Sequence, residues 1–170
     1  MQRISILKKT EAIKMKDYFE LTPLLIQRNI TIATAESCTG GLIAKMISDV
    51  PGASAVFVGG LVPYSNKMKS DWLGVSEDTL EKYGAVSAET VSQMLDGLIK
   101  QSGADIGIAV SGIAGPSGGV KEKPVGTVFI GVVKDKKKNI KKYFFSGSRD
   151  EVREKSARAA LVLIEQALDF

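Results

Sequence analysis

Apolar residues change spacing several times along this chain, and each change predicts an element. Residues 17–29 (DYFELTPLLIQRN) read as a helix, with Pro23 confined to its first turn. Ile30 to Ala35 (ITIATA) is a short β-branched run, which predicts a buried strand ending at Glu36-Ser37-Cys38-Thr39-Gly40-Gly41. Leu42, Ile43, Met46 and Ile47 then recur at helical spacing as far as Pro51-Gly52. Ala55 to Val62 reads as a second strand, running into a polar loop, Pro63 to Lys69. Ser76 and Ser87 stand before acidic helix starts, and Gly84 and Gly103 stand as their stops. Asp105 to Val110 is a third apolar run, followed by the long glycine loop 111–119. Val125–Val133 and Ile140–Phe145 flank a Lys-rich stretch and predict an antiparallel hairpin with a lysine-rich tip. Val152, Ala159, Ala160, Leu163, Ile164 and Leu168 place a final amphipathic helix from Arg149 onward.

Five strands separated mostly by helices predict an α/β fold: a mixed, mostly parallel sheet with helices on both faces. In such sheets ligands bind beyond the carboxyl ends of the strands. Segments 36–41, 63–69 and 111–119 fall at three such ends and are rich in glycine and hydroxyls. Their convergence is the functional signal in the chain.

Composition narrows the chemistry available there. A chain of 170 residues suits one domain, and it contains no His and a single Cys. Ser-His-Asp and Cys-His catalysis, His-ligated zinc and internal disulfides are thereby excluded. One cysteine fits a reducing, cytoplasmic setting. The first sixteen residues lack the apolar core of a signal peptide, and the longest uncharged run, Val50–Asn66, is broken by Pro51, Gly52, Gly59, Gly60 and Pro63. The net charge of +4 equals the excess carried by residues 1–16, a basic extension to a single domain over 17–170. A solvated tail and a lysine-rich hairpin tip account for the charge without nucleic-acid binding.

Each strand-end segment carries a candidate role and a plainer one. Ser37 lies between a strand and a helix N-terminus, where backbone amides stabilise a developing oxyanion, so it is a candidate nucleophile. An ordinary helix cap would place the same residues there. Tyr64-Ser65-Asn66-x-x-Lys69 offers a phenol, a hydroxyl, an amide and an amine. Without histidine, a serine nucleophile needs another base, and a desolvated lysine is suitable. Lys69 is the candidate for that role if its amine is desolvated, against the alternative of a solvated loop lysine, with Lys67 as its decoy. The 111–119 loop lets backbone approach a ligand closely, but it matches neither a Walker A loop nor GxGxxG. A flexible crossover would read the same way.

Taken together, AESCTGGLIAKMISDVPGASAVFVGGLVPYSNKMK, LGVSEDTLEKYGAVSAETV and SGADIGIAVSGIAGPSGGVKEKPVGTVFIGV resemble the C-terminal domain of the competence/damage-inducible protein (CinA) family, from about residue 17 onward. The resemblance implies a three-layer α/β/α sandwich around a five-stranded mixed sheet. It also implies an amidohydrolase that converts nicotinamide mononucleotide to nicotinate mononucleotide and ammonia, using neither metal nor cofactor. Carried onto this chain, the catalytic set is Ser37, Lys69 and Tyr64. The binding set is Thr39, Gly40, Gly41, Ser65, Asn66, Ser111, Gly112, Gly115 and Arg149, with Arg149 and the glycine loop at the phosphate. Where the family carries Gly-Asp-Arg before its last helix, this chain has Gly147-Ser148-Arg149, so the acidic member is missing. A homo-oligomer is implied as well. A catalytically silent nucleotide-binding module, a nucleic-acid-associated protein and an amidase for another small amide are the rival readings.

Overall fold

The computed structural model describes residues 18–169. The basic extension inferred for residues 1–16 lies outside them. A 3-10 turn (Tyr18–Glu20) leads into α1 (Leu21–Arg28), in which Pro23 occupies the first turn. There follow β1 (Ile32–Glu36), α2 (Leu42–Ser48), β2 (Phe57–Leu61), α3 (Asn66–Leu73), α4 (Glu77–Tyr83), α5 (Ala88–Ser102), β3 (Ile106–Gly112), β4 (Thr127–Lys134), β5 (Lys137–Phe144) and α6 (Arg149–Ala167).

The strands form one mixed sheet in the order β2-β1-β3-β4-β5. β1 pairs in parallel with both β2 and β3, while β3–β4 and β4–β5 are antiparallel. Only β4 runs against the rest, although the ladders divide evenly between the two kinds. The alternating faces of the strands separate two cores. Ile32, Ile106, Ile108, Val110, Val128 and Ile130 face α1, α2 and α6. Ala33, Ala35, Ala109, Phe129 and Val133 face α5 and the end of α3. The result is the three-layer α/β/α sandwich. Ala35 stands beside both Leu61 and Ala109, so β1, β2 and β3 deliver their following segments at one edge of the sheet.

Two local expectations are corrected. Residues 66–73 form a helix, where the polar composition suggested a continuous loop. Ser65 caps it by accepting from Met68 N at 3.1 Å, and Gly74 ends it in the left-handed region (φ 67°). α3 is seated by close approach to α5, since a Cβ on Gly97 would lie 2.0 Å from the Leu73 carbonyl oxygen. The lysine-rich hairpin tip is also smaller than the charge pattern suggested. Asp135 and Lys136 alone make the turn, both at positive φ, and Lys137, Lys138, Lys141 and Lys142 lie on β5. There they charge an outer strand that would otherwise pair with other sheets. Lys138 is anchored on Ser92 and Asp96, and the Lys142 amine lies 5.8 Å from the Phe129 ring centroid.

Candidate active site

Backbone demand at the start of α2 organises the first segment. The opening amides of a helix have no partner within it and favour a negative charge. Glu36, fully buried at the end of β1, supplies both. Its Oε2 accepts from Thr39 Oγ1 (2.7 Å), Gly41 N (3.1 Å) and Ile43 N (3.0 Å), and its Oε1 accepts from Ala44 N (2.8 Å). Gly40 N closes a turn onto the Ser37 carbonyl at 3.0 Å. The anion position at this helix end is therefore filled by the chain itself. The Gly40 and Gly41 amides and the Thr39 hydroxyl, read from sequence as substrate donors, are spent internally. That leaves the N–H groups of Cys38, which lies against its own sulfur, and of Thr39, neither of which donates to another described residue.

Ser37 is held by its own N–H, which donates to the Val110 carbonyl of β3 at 3.0 Å. Lys69 comes from α3 and is 1% exposed. Its Nζ lies 3.1 Å from Ser37 Oγ, 2.9 Å from the Pro63 carbonyl and 3.3 Å from the Tyr64 carbonyl. Burial lowers the amine below the ordinary lysine value. A neutral amine has two N–H groups and one lone pair. Two carbonyls and one hydroxyl match that set, with the lone pair left for the serine proton. The neighbouring thiol of Cys38 has its pKa pushed up to about 12 by burial and stays protonated.

The second wall is built by α6. Ser148 caps the helix and forms a capping box with Glu151 (Ser148 N to Glu151 Oε2, 2.7 Å; Glu151 N to Ser148 Oγ, 3.3 Å). Serine thus does the capping that an aspartate would do, since the two are equivalent caps. Arg149 follows, donating from Nη1 to the Gly115 carbonyl (2.8 Å) and from Nη2 to the Tyr64 hydroxyl (2.9 Å). Tyr64 therefore meets Lys69 through its carbonyl, while its phenol is joined to Arg149.

The remaining sequence candidates divide. Gly115, at φ +86° before the cis Gly115–Pro116 bond, lies on the site wall. Gly112 ends β3, and Asn66 is exposed at the start of α3. Ser65 serves as the α3 cap. Ser111 is 1% exposed and donates to the Ala85 carbonyl at 2.8 Å, so its hydroxyl proton is committed to the α4–α5 connection. Sequence reasoning missed Glu36 and Arg153. Arg153 donates from Nε to the Cys38 carbonyl (3.1 Å) and from Nη2 to the Thr39 carbonyl (3.0 Å). Its spacing of four from Arg149 on one helix was the available signal.

Among the described residues, no helix is long and apolar enough to cross a membrane. The model of the CinA C-terminal domain family matches residues 18–168. A CinA-like protein of Thermotoga maritima is 54% identical over 138 residues, covering 81% of this chain and 34% of its own length. This chain thus spans about a third of the curated relatives it matches. Among solved structures, the competence damage-inducible protein A of Klebsiella pneumoniae superposes with a TM-score of 0.86 at 36% identity, covering 91% of this chain and 98% of that one. The competence/damage inducible protein of Agrobacterium tumefaciens gives 0.82 at 38% identity, covering 94% and 99%. With the family model spanning nearly all the described residues, the chain belongs to the CinA C-terminal domain family.

Proposed function

We propose that this chain is a nicotinamide-nucleotide amidase with a serine nucleophile and a lysine base. The observation that carries the reading is the contact of the buried Lys69 amine with Ser37 Oγ at 3.1 Å. In the proposed reaction Lys69 takes the Ser37 proton as Oγ bonds to the carboxamide carbon. The carbonyl π electrons move onto oxygen, and the Cys38 and Thr39 amides receive that charge. The intermediate collapses with cleavage of the C–N bond. The proton returns from Lys69 to the departing nitrogen, giving ammonia and an acyl ester on Ser37. Water, deprotonated by Lys69, then attacks the ester; Ser37 regains its proton and nicotinate mononucleotide leaves. Arg149 and the Gly115 segment supply the positive, close-approach wall for the phosphate.

Ammonia release from nicotinamide mononucleotide by the wild type, Ser37→Ala and Lys69→Ala tests the proposal. Turnover by the wild type alone is the expected result. Turnover that survives Ser37→Ala removes the nucleophile, and a bound but unreacted nucleotide leaves a silent binding module. Homo-oligomeric assembly and a cytoplasmic location belong to the same proposal, the first checked by light scattering on the purified protein.

A further inference from the structure

The turn that carries Ser37 is gripped from both layers of the sandwich. Lys69 reaches it from α3, on the α5 side of the sheet, and Arg153 reaches it from α6, on the opposite side. Arg153 touches only backbone there, donating to two successive carbonyls, Cys38 and Thr39. In a trans peptide the N–H points away from its own carbonyl. The only cis bond among the described residues is Gly115–Pro116. Holding the Cys38 carbonyl on α6 therefore aims the Thr39 N–H away from α6 and fixes the plane of that peptide. A guanidinium on the carbonyl also draws electron density from the same amide, making its N–H a stronger donor.

We infer that Arg153 is a positioning residue for the reaction: by clamping the Cys38 and Thr39 carbonyls it sets the nucleophile turn in its reactive form. The inference rests on Ser37 being the nucleophile, and it requires no particular amide substrate. Arg153 holds the two carbonyls from two separate nitrogens of one rigid plane, Nε and Nη2, whereas a lysine would have to reach both from a single atom on a flexible stem. The clamp is also approachable from outside. A groove of about 340 Å³ between α2 and α6 is lined by Leu42, Lys45, Met46, Asp49, Asp150 and Arg153, among others. A small planar cation can enter it.

The test follows labelling of Ser37 by a fluorophosphonate ester. Oγ bonds to phosphorus, fluoride leaves, and the serine proton passes to Lys69. Wild type, Arg153→Met and Arg153→Lys are compared, with thermal unfolding of each. Arg153→Met is expected to label about 10- to 100-fold more slowly while folded, short of the full loss of an oxyanion donor. Arg153→Lys should fall between, and millimolar methylguanidine should restore part of the Arg153→Met rate. The pH midpoint of labelling, set by Lys69, should not move. Labelling of folded Arg153→Met within twofold of wild type overturns the inference. Should that variant not fold, wild-type labelling by Arg153→Lys overturns it instead. Wild type that labels at Ser37 yet releases no ammonia from the nucleotide removes the substrate proposed above and leaves Arg153 its role. A Ser37 that never labels removes both.

Discussion

Lys69 Nζ and Ser37 Oγ, 32 residues apart in the chain, lie 3.1 Å from each other in a setting with almost no solvent. The pairing depends on two helices, since the turn that bears the serine leads from β1 into α2 and α3 turns the lysine inward. Activity should therefore fall on the acid side as pH drops through the depressed Lys69 value, and Lys69→Met should lose about 100- to 10,000-fold in kcat. Stability carries the same signature with a definite sign. The folded state binds the Lys69 proton less well than the unfolded chain, so stability rises with pH between the lowered value and the ordinary 10.5. Denaturant titrations across alkaline pH should show that rise in the wild type and lose it in Lys69→Met.

Cys38, next in sequence to Ser37, should behave as a small apolar residue. With its pKa pushed up to about 12, it should react with iodoacetamide far more slowly than a free thiol, and Cys38→Ala should keep most of the activity. Rapid alkylation with loss of activity would contradict this.

Glu36→Gln places an amide NH2 against backbone N–H groups that now meet a carboxylate. Charge-assisted hydrogen bonds of this kind are worth about 1.5–3 kcal/mol each. A loss of about 2–3 kcal/mol overall corresponds to a fall of roughly 5–10 °C in Tm for a domain of this size. A melting curve unchanged by Glu36→Gln would show that the carboxylate does not hold α2.

Arg149→Met should raise KM for nicotinamide mononucleotide by roughly tenfold or more, on the strength of a charge-assisted contact. The corresponding nucleoside, which has no phosphate, should be much less affected. Equal losses for the two would move Arg149 from the phosphate to the wall alone, where it joins Gly115 and Tyr64.

Thr34→Val should stabilise the protein. Thr34 Oγ1 is the one buried side-chain polar atom among the described residues without a hydrogen-bond partner. Exchange of that hydroxyl for a methyl should add about 1 kcal/mol, read as a rise of a few degrees in Tm.

The buried strands were legible because β1 and β3 lie between two helical layers and so appear as unbroken apolar runs. The Ser37–Lys69 contact was legible by chemistry, since a chain without histidine leaves lysine as the candidate base. α3 was not, because NKMKSDWL has few apolar positions and its evidence lies in the Ser65 and Gly74 caps. Glu36 and Arg153 escaped for a different reason. Nearly all their partners at the site are backbone N–H and carbonyl groups, which carry no residue identity for a sequence pattern to display. Ser111 shows the opposite case: the strand-end hydroxyl is plain in the sequence, while its donation to the Ala85 carbonyl depends on the α4–α5 connection packing over it.

Arg149 and Arg153 stand one above the other on successive turns at the start of α6, one for the Gly115 segment and the other for the serine turn. Helix ends fray before helix centres, and local opening costs less than global unfolding. The capping box at Ser148 is thus a latch on two walls of one site. Release of that latch on warming is expected to loosen both arginines, and Val152 between them, while the sheet is still paired, so the geometry of the candidate site should be lost ahead of the fold.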